Sequence, residues 1–220
     1  MPTNPLIETV DLERLRELAD HFRFRLIVDP TVASPYNVRV LPHADVVINS
    51  LTKYAACEGD VMMGVAVFNP DRPGIMEVLA RTVAHHEPPY SRDIARLAAQ
   101  IPRTEKLLRQ VNPTTVQVAA FLNQHPKVKQ VYWAYARQSR FAYEALARWP
   151  VGPGAILSFE LDLPLAEFYD RCPLVKGPSF GTRFSILCPY LYLAHYDLVS
   201  SGEGREFLEK LDISPELVRL

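Results

Sequence analysis

Three short, almost unbroken apolar runs constrain this chain most: Arg25-Leu26-Ile27-Val28, Ala44-Asp45-Val46-Val47-Ile48, and Val61-Met62-Met63-Gly64-Val65-Ala66-Val67-Phe68. A strand that is apolar at nearly every position, rather than at every second one, has no face to offer to water. It belongs in a sheet covered by helices, so the runs predict an α/β architecture and argue against an open sandwich. Met62 and Met63 read as buried strand, since methionine fills irregular cores. Ahead of the runs, Leu12, Leu15, Leu18 and Ala19 recur with helical spacing between Val10 and His21, and Asp11 is placed to cap that helix.

Residues 73 to 110 read as helix in two pieces, broken at Pro88-Pro89, and Thr114 to Gln124 as a further amphipathic helix. A domain change is expected near residues 105 to 115. Beyond it, strands are predicted at Val128 to Trp133, Ala155 to Leu161 and Phe184 to Pro189, with a helix from Ser139 to Arg148. The chain stops at Leu217-Val218-Arg219-Leu220, in what reads as an apolar strand. The division expected is therefore residues 1–110 in one α/β unit and 111–220 in a smaller α/β domain that is incomplete at its end.

With 24 basic and 25 acidic residues there is no net field to attract nucleic acid. Cys57, Cys172 and Cys188 are odd in number and widely spaced, which suits a reducing cytoplasm better than a disulfide framework. No apolar run approaches the roughly 20 residues that span a bilayer, so a cytoplasmic protein with no membrane partner is expected. His85-His86 has no partner at ligand spacing, and no metal is expected. Cys57 reads as loop packing, Asp45 as the anchor of a strand start, and His195 as structural or lining an entrance.

Two residues carry chemistry. Asp29 ends the first strand-like run, and Lys53 follows the second in Asn49-Ser50-Leu51-Thr52-Lys53-Tyr54. Ligands of open α/β sheets bind outside the carboxyl ends of the strands, so both residues should face one crevice. An amine to form a Schiff base and an acid to keep a pyridine nitrogen protonated are what pyridoxal phosphate requires, and the hydroxyls of Ser50 and Thr52 suit its phosphate. A lysine after Ser-x-Thr also occurs on surfaces, and an aspartate at a strand end also serves turns. Taken alone, the pair leaves both readings open.

The rest of the chain narrows them. Asn4-Pro5-Leu6, Val28-Asp29-Pro30-Thr31 and Ser50-Leu51-Thr52-Lys53-Tyr54 resemble the cysteine and methionine metabolism family of pyridoxal-phosphate enzymes. The likeness continues through Phe121 to Val128 and Lys176-Gly177-Pro178-Ser179-Phe180-Gly181 to the closing Leu217-Val218-Arg219-Leu220. From Lys176 to Tyr196 it is most similar to the cystathionine γ-synthase branch of fungi and some bacteria. The resemblance implies part of the large domain of a fold-type I pyridoxal-phosphate transferase, followed by the small domain.

It also implies roles: Lys53 as the Schiff-base lysine, Asp29 as the pyridinium partner, and Ser50 and Thr52 on phosphate. Thr31 would lie beneath or near the ring, although Pro30 stands where the family often has asparagine. Asn4, Ser179 and Arg219 would orient substrate, with the planar fork of Arg219 matched to its carboxylate. The reaction implied is transsulfuration, in which cysteine replaces the acyl group of an O-acylhomoserine. Sulfhydrylation and cystathionine or methionine lysis are the alternatives within the family, and a non-catalytic fragment is the alternative outside it. Family chains are close to twice this length and usually homo-oligomeric; the expectation is therefore an internal piece that lacks the family's phosphate loop and ring-stacking tyrosine.

Overall fold

The computed structural model describes residues 1–220 and is of mixed α/β build. Helix α1 (Leu12–Phe22) begins where expected: the Asp11 carboxylate accepts from the Arg14 N–H at 2.9 Å. Buried Arg16 reaches from this helix to Asp45 at 2.7 Å, and Asp45 also accepts from the Leu26 N–H at 2.7 Å. Asp45 thus ties α1 to the start of two strands, the anchoring role read from the sequence.

Those strands are β1 (Ile27–Val28) and β2 (Val46–Ser50), parallel, with β3 (Gly64–Phe68) antiparallel on the far side of β2. Ile7, Leu12, Val28, Val38, Val40, Val47 and Tyr143 form the main core beside them. The sheet corrects the expectation of strands buried on both faces. Val65 and Val67 of β3 are 38% and 42% exposed, and Ile48 is 42% exposed. No strand of this chain pairs with the outer edge of β3, and the core gathers on the β1 side. Met62 is 84% exposed rather than buried, because β3 starts only at Gly64 and the preceding turn is held by Leu51 and Thr52 N–H bonds to the Met63 carbonyl.

Helices α2 (Ile75–His85) and α3 (Ser91–Gln100) flank the predicted break at Pro88-Pro89. After one tight turn comes α4 (Thr104–Gln124), continuous through Pro113 where two helices with a boundary between them were expected. Pro113 removes one backbone donor. Around it, side chains supply contacts: Thr115 donates to the Val111 and Gly154 carbonyls, and the buried amides of Asn37 and Asn112 bond each other reciprocally at 3.0 and 3.1 Å.

The second sheet contains β4 (Val128–Tyr132) and β5 (Ser158–Leu161), separated by α5 (Arg140–Leu146). Helix α6 (Leu165–Arg171) follows, then β6 (Val175–Lys176) and β7 (Ile186–Leu187). The chain continues through α7 (Tyr190–Ala194), α8 (Tyr196–Ser200) and α9 (Gly202–Lys210) to β8 (Leu217–Arg219). The sheet is antiparallel in the order β4-β5-β8, with Ser158 opposite both Tyr132 and Arg219. The predicted strand at 184–189 is thus corrected: only Ile186–Leu187 is extended, and it pairs in parallel with β6. One bridge, Cys188 to Arg219, links that segment to β8. Ala119, Leu122, Leu157, Phe159, Leu187 and Val218 pack into the core between α4 and this sheet. No helix is long and apolar enough to cross a membrane.

Candidate active site

Two groups of predicted residues come together at the carboxyl ends of β1 and β2. In the first, an Asp29 carboxylate oxygen accepts from both the backbone N–H and the hydroxyl of Thr31. The Thr31 oxygen in turn accepts from the Ser50 N–H at 2.9 Å. Thr31 is buried, so its hydroxyl acts inside the protein: it fixes the Asp29 carboxylate and joins the two strand ends. Thr52 is similarly occupied, accepting from the Met63 N–H at 3.1 Å, which ties the Lys53 loop to the segment before β3.

In the second group the Lys53 amine donates to the Ser179 hydroxyl at 3.2 Å and lies 4.9 Å from the Phe180 ring centroid. Partial burial, with the Arg219 charge adding to it, lowers the Lys53 pKa from that of a free lysine. Arg219 is only 2% exposed. It donates to the Ser179 and Pro178 carbonyls and, at 3.4 Å, to Asn4 Oδ1. All of these partners are neutral oxygens; no carboxylate forms an ion pair with this guanidinium. Burial depresses its pKa as well. Asn4, Lys53, Ser179 and Arg219 therefore converge, while Asp29, Thr31 and Ser50 form a second cluster across the ends of β1 and β2.

Three aromatic residues complete the arrangement and had been assigned no role in the sequence. Tyr54 is buried, donates to the Val32 carbonyl at 2.8 Å and accepts from the Ala155 N–H at 2.8 Å. Burial pushes its pKa far above the usual phenol value, so it remains a neutral brace between the turn after β1 and the chain entering β5. Phe180 and Tyr190 lie 5.5 and 5.3 Å from the Arg219 guanidinium carbon. Their only sequence signal was position: Phe180 stands between Ser179 and Gly181, and Tyr190 follows Cys188-Pro189. Gly181 has φ +77°, and a Cβ there would stand 2.9 Å from the Tyr54 nitrogen. Glycine is what lets the Ser179 loop approach the Lys53 loop so closely.

The remaining candidates stay outside. His85 and His86 bond carbonyls of their own helix, and Cys57 is buried in loop packing. His195 is exposed, with its ring 6.1 Å from that of Tyr190.

Lys53, just beyond the end of β2, stands beside the buried Arg219 guanidinium of β8, which has no counter-ion, and comparison with known proteins gives the class. The chain belongs to the family described as Cys/Met metabolism PLP-dependent enzyme, whose model matches residues 1–220. Pyridoxal phosphate is the cofactor of that enzyme family. Among its relatives, L-2-amino-4-chloropent-4-enoate dechlorinase/desaturase of Streptantibioticus cattleyicolor is 38% identical over the whole chain, which spans 44% of that protein. Cystathionine gamma-synthase of Neurospora crassa is 33% identical, again over the whole chain and 35% of its own length. The crystal structure of cystathione gamma lyase (CalE6) from Micromonospora echinospora superposes with a TM-score of 0.83 at 26% identity, covering all of this chain and 57% of that one. The chain thus spans less than half the length of the curated relatives it matches.

Proposed function

We propose that this chain supplies the lysine and carboxylate-clamp side of a pyridoxal-phosphate site that performs transsulfuration, with cysteine replacing the acyl group of an O-acylhomoserine. The observation that carries the reading is Arg219: a buried guanidinium whose hydrogen-bond partners are all neutral oxygens. Desolvating a charge without a counter-charge costs several kcal/mol, and an amino-acid carboxylate offsets that cost when it binds.

The residues fit the cofactor. Lys53 would hold it through an amine whose protonated form is already disfavoured. Asp29, fixed by Thr31, would face the ring nitrogen, and Ser50 and Thr52 the phosphate; Thr52 would do so while still bonded to the Met63 backbone. When bound, the group supplies an electron sink that lets protons leave the carbons next to it. Lys53 would carry those protons between the α and β carbons, Arg219 and Asn4 would hold the carboxylate, and Ser179 would steady the lysine amine. Residues 1–110 would be the C-terminal part of the large domain of a fold-type I enzyme. Residues 111–220 would be its small domain, with α4 continuous across the division, and the full-length enzyme would be a homo-oligomer.

A second reading is favoured by the 38% identity to the dechlorinase/desaturase: loss of a γ-leaving group without addition of a thiol. Both share the lysine and the clamp, because the pocket selects the path. In the test, the chain is mixed with pyridoxal phosphate, and its visible absorption should appear in the native chain and vanish in Lys53→Ala. No absorption in the native chain sinks the enzyme reading for these 220 residues. O-succinylhomoserine with cysteine, and a γ-chloro amino acid alone, then separate replacement from elimination by the product formed.

A further inference from the structure

The Phe180 ring touches both cations of the site, and nothing in the reading above gives it work. Its centroid lies 4.9 Å from the Lys53 amine and 5.5 Å from the Arg219 guanidinium carbon. A cation within about 6 Å of a ring centroid is attracted by the negative face of the ring. The ring is itself held on two sides. Tyr54 meets it edge-on, with centroids 6.3 Å apart, and Gly181 pins the loop against the Lys53 backbone. The ring also packs against the main core and borders a cavity of about 280 Å³ between α4 and the 180–186 segment, walled by Leu107, Val111, Leu157 and Ile186. Phe180 therefore partitions the lysine crevice from that cavity.

Two like charges this near one another repel, and a merely apolar partition would leave the repulsion uncompensated. We propose that Phe180 is a positioning residue: its ring is the common partner of the Lys53 ammonium and the Arg219 guanidinium. It thereby sets the spacing between the group that moves protons at the α carbon and the group that grips the α carboxylate. The inference rests on the lysine and clamp roles proposed above and names what registers them to each other. Arg219 is the charged group acting on the amine; Cys188 and Tyr190 are the titratable groups facing Arg219, and Asp29 lies at the neighbouring strand end.

The test needs no cofactor. Lys53 in the chain is labelled with acetic anhydride across a range of pH, and the midpoint of its reactivity is read from the mass of the Lys53 peptide. A ring that favours the charged amine raises this midpoint, so Phe180→Leu and Phe180→Met should lower it by about half a pH unit to one unit. Phe180→Tyr, which keeps the ring, should leave it in place. Loss of the fold would move the midpoint the opposite way, towards free lysine, which is why two apolar variants are compared. A midpoint that falls in neither, or that falls as far in Phe180→Tyr, overturns the proposal. The labelling result is independent of cofactor uptake, so failure of the pyridoxal-phosphate reading, seen as no visible absorption in the native chain or as absorption that persists in Lys53→Ala, remains distinguishable.

Discussion

Arg219 shows why side-chain shape decides the site as much as charge. Its guanidinium lies against Phe180 and Tyr190 and donates to three oxygens from two separate segments. A lysine at this position would retain the charge but lose the planar fork and the stacked faces. Arg219→Lys should therefore shift saturation by the amino-acid substrate to about tenfold or more higher concentration, followed through the cofactor spectrum, with cofactor retention unchanged. Equal saturation in the two proteins would remove the clamp from the mechanism. At this scale the sequence was informative for polar residues and silent for aromatic ones. A lysine after Ser50-Leu51-Thr52 announces itself through its chemistry. The ring of Phe180 differs from any core phenylalanine only by what happens to surround it.

Among the elements, α1 and β2 depend on one buried carboxylate. Burial works against the charge of Asp45, but the Leu26 N–H and Arg16 more than compensate and hold its pKa below the ordinary value. A depressed carboxylate contributes stability that is full above its unfolded pKa of about 3.9 and is lost as pH falls through the folded value. Asp45→Asn should thus destabilise the chain by on the order of 2 kcal/mol near neutrality, since it removes the buried partner of Arg16 and leaves that guanidinium only the exposed Asp20. The gap in urea midpoint from the native chain should close as pH drops through the acid range; a gap constant down to acid unfolding would contradict this. Asp11 and the break at Pro88-Pro89 were legible because each acts on its own neighbours, and Asp45 because it is the one carboxylate in an apolar run, although its partners Leu26 and Arg16 lie 19 and 29 positions away. The unbroken α4 was not: a domain change was expected near residues 105 to 115, and the Asn37–Asn112 pair that supports the helix joins residues 75 positions apart. The strand at 184–189 is cut short for a related reason: β8, from the end of the chain, pairs with β5, and Ile186–Leu187 finds only the two residues of β6.

At the scale of the whole molecule, the α/β reading survives, while the inference of two buried faces does not. Val65 and Val67 leave exposed apolar side chains on one face of β3, the open edge strand. Such edges template pairing with other chains. The purified 220-residue chain should therefore self-associate with concentration in sedimentation velocity, and Val67→Lys should suppress this without changing far-UV circular dichroism. Association unaffected by the charge would place the contact elsewhere. The hydrogen bond between Asn4 and Arg219 spans 215 residues, and that between Lys53 and Ser179 spans 126. Contacts of such separation carry the largest loop-closure entropy, so the site is expected to assemble late in folding rather than around an early nucleus. A carboxylate seated on Arg219 would act as a clasp on a nearly closed ring of chain, and amino-acid ligands would protect the backbone near residues 4 and 219 from hydrogen exchange together, although the two stretches are almost the full length of the sequence apart.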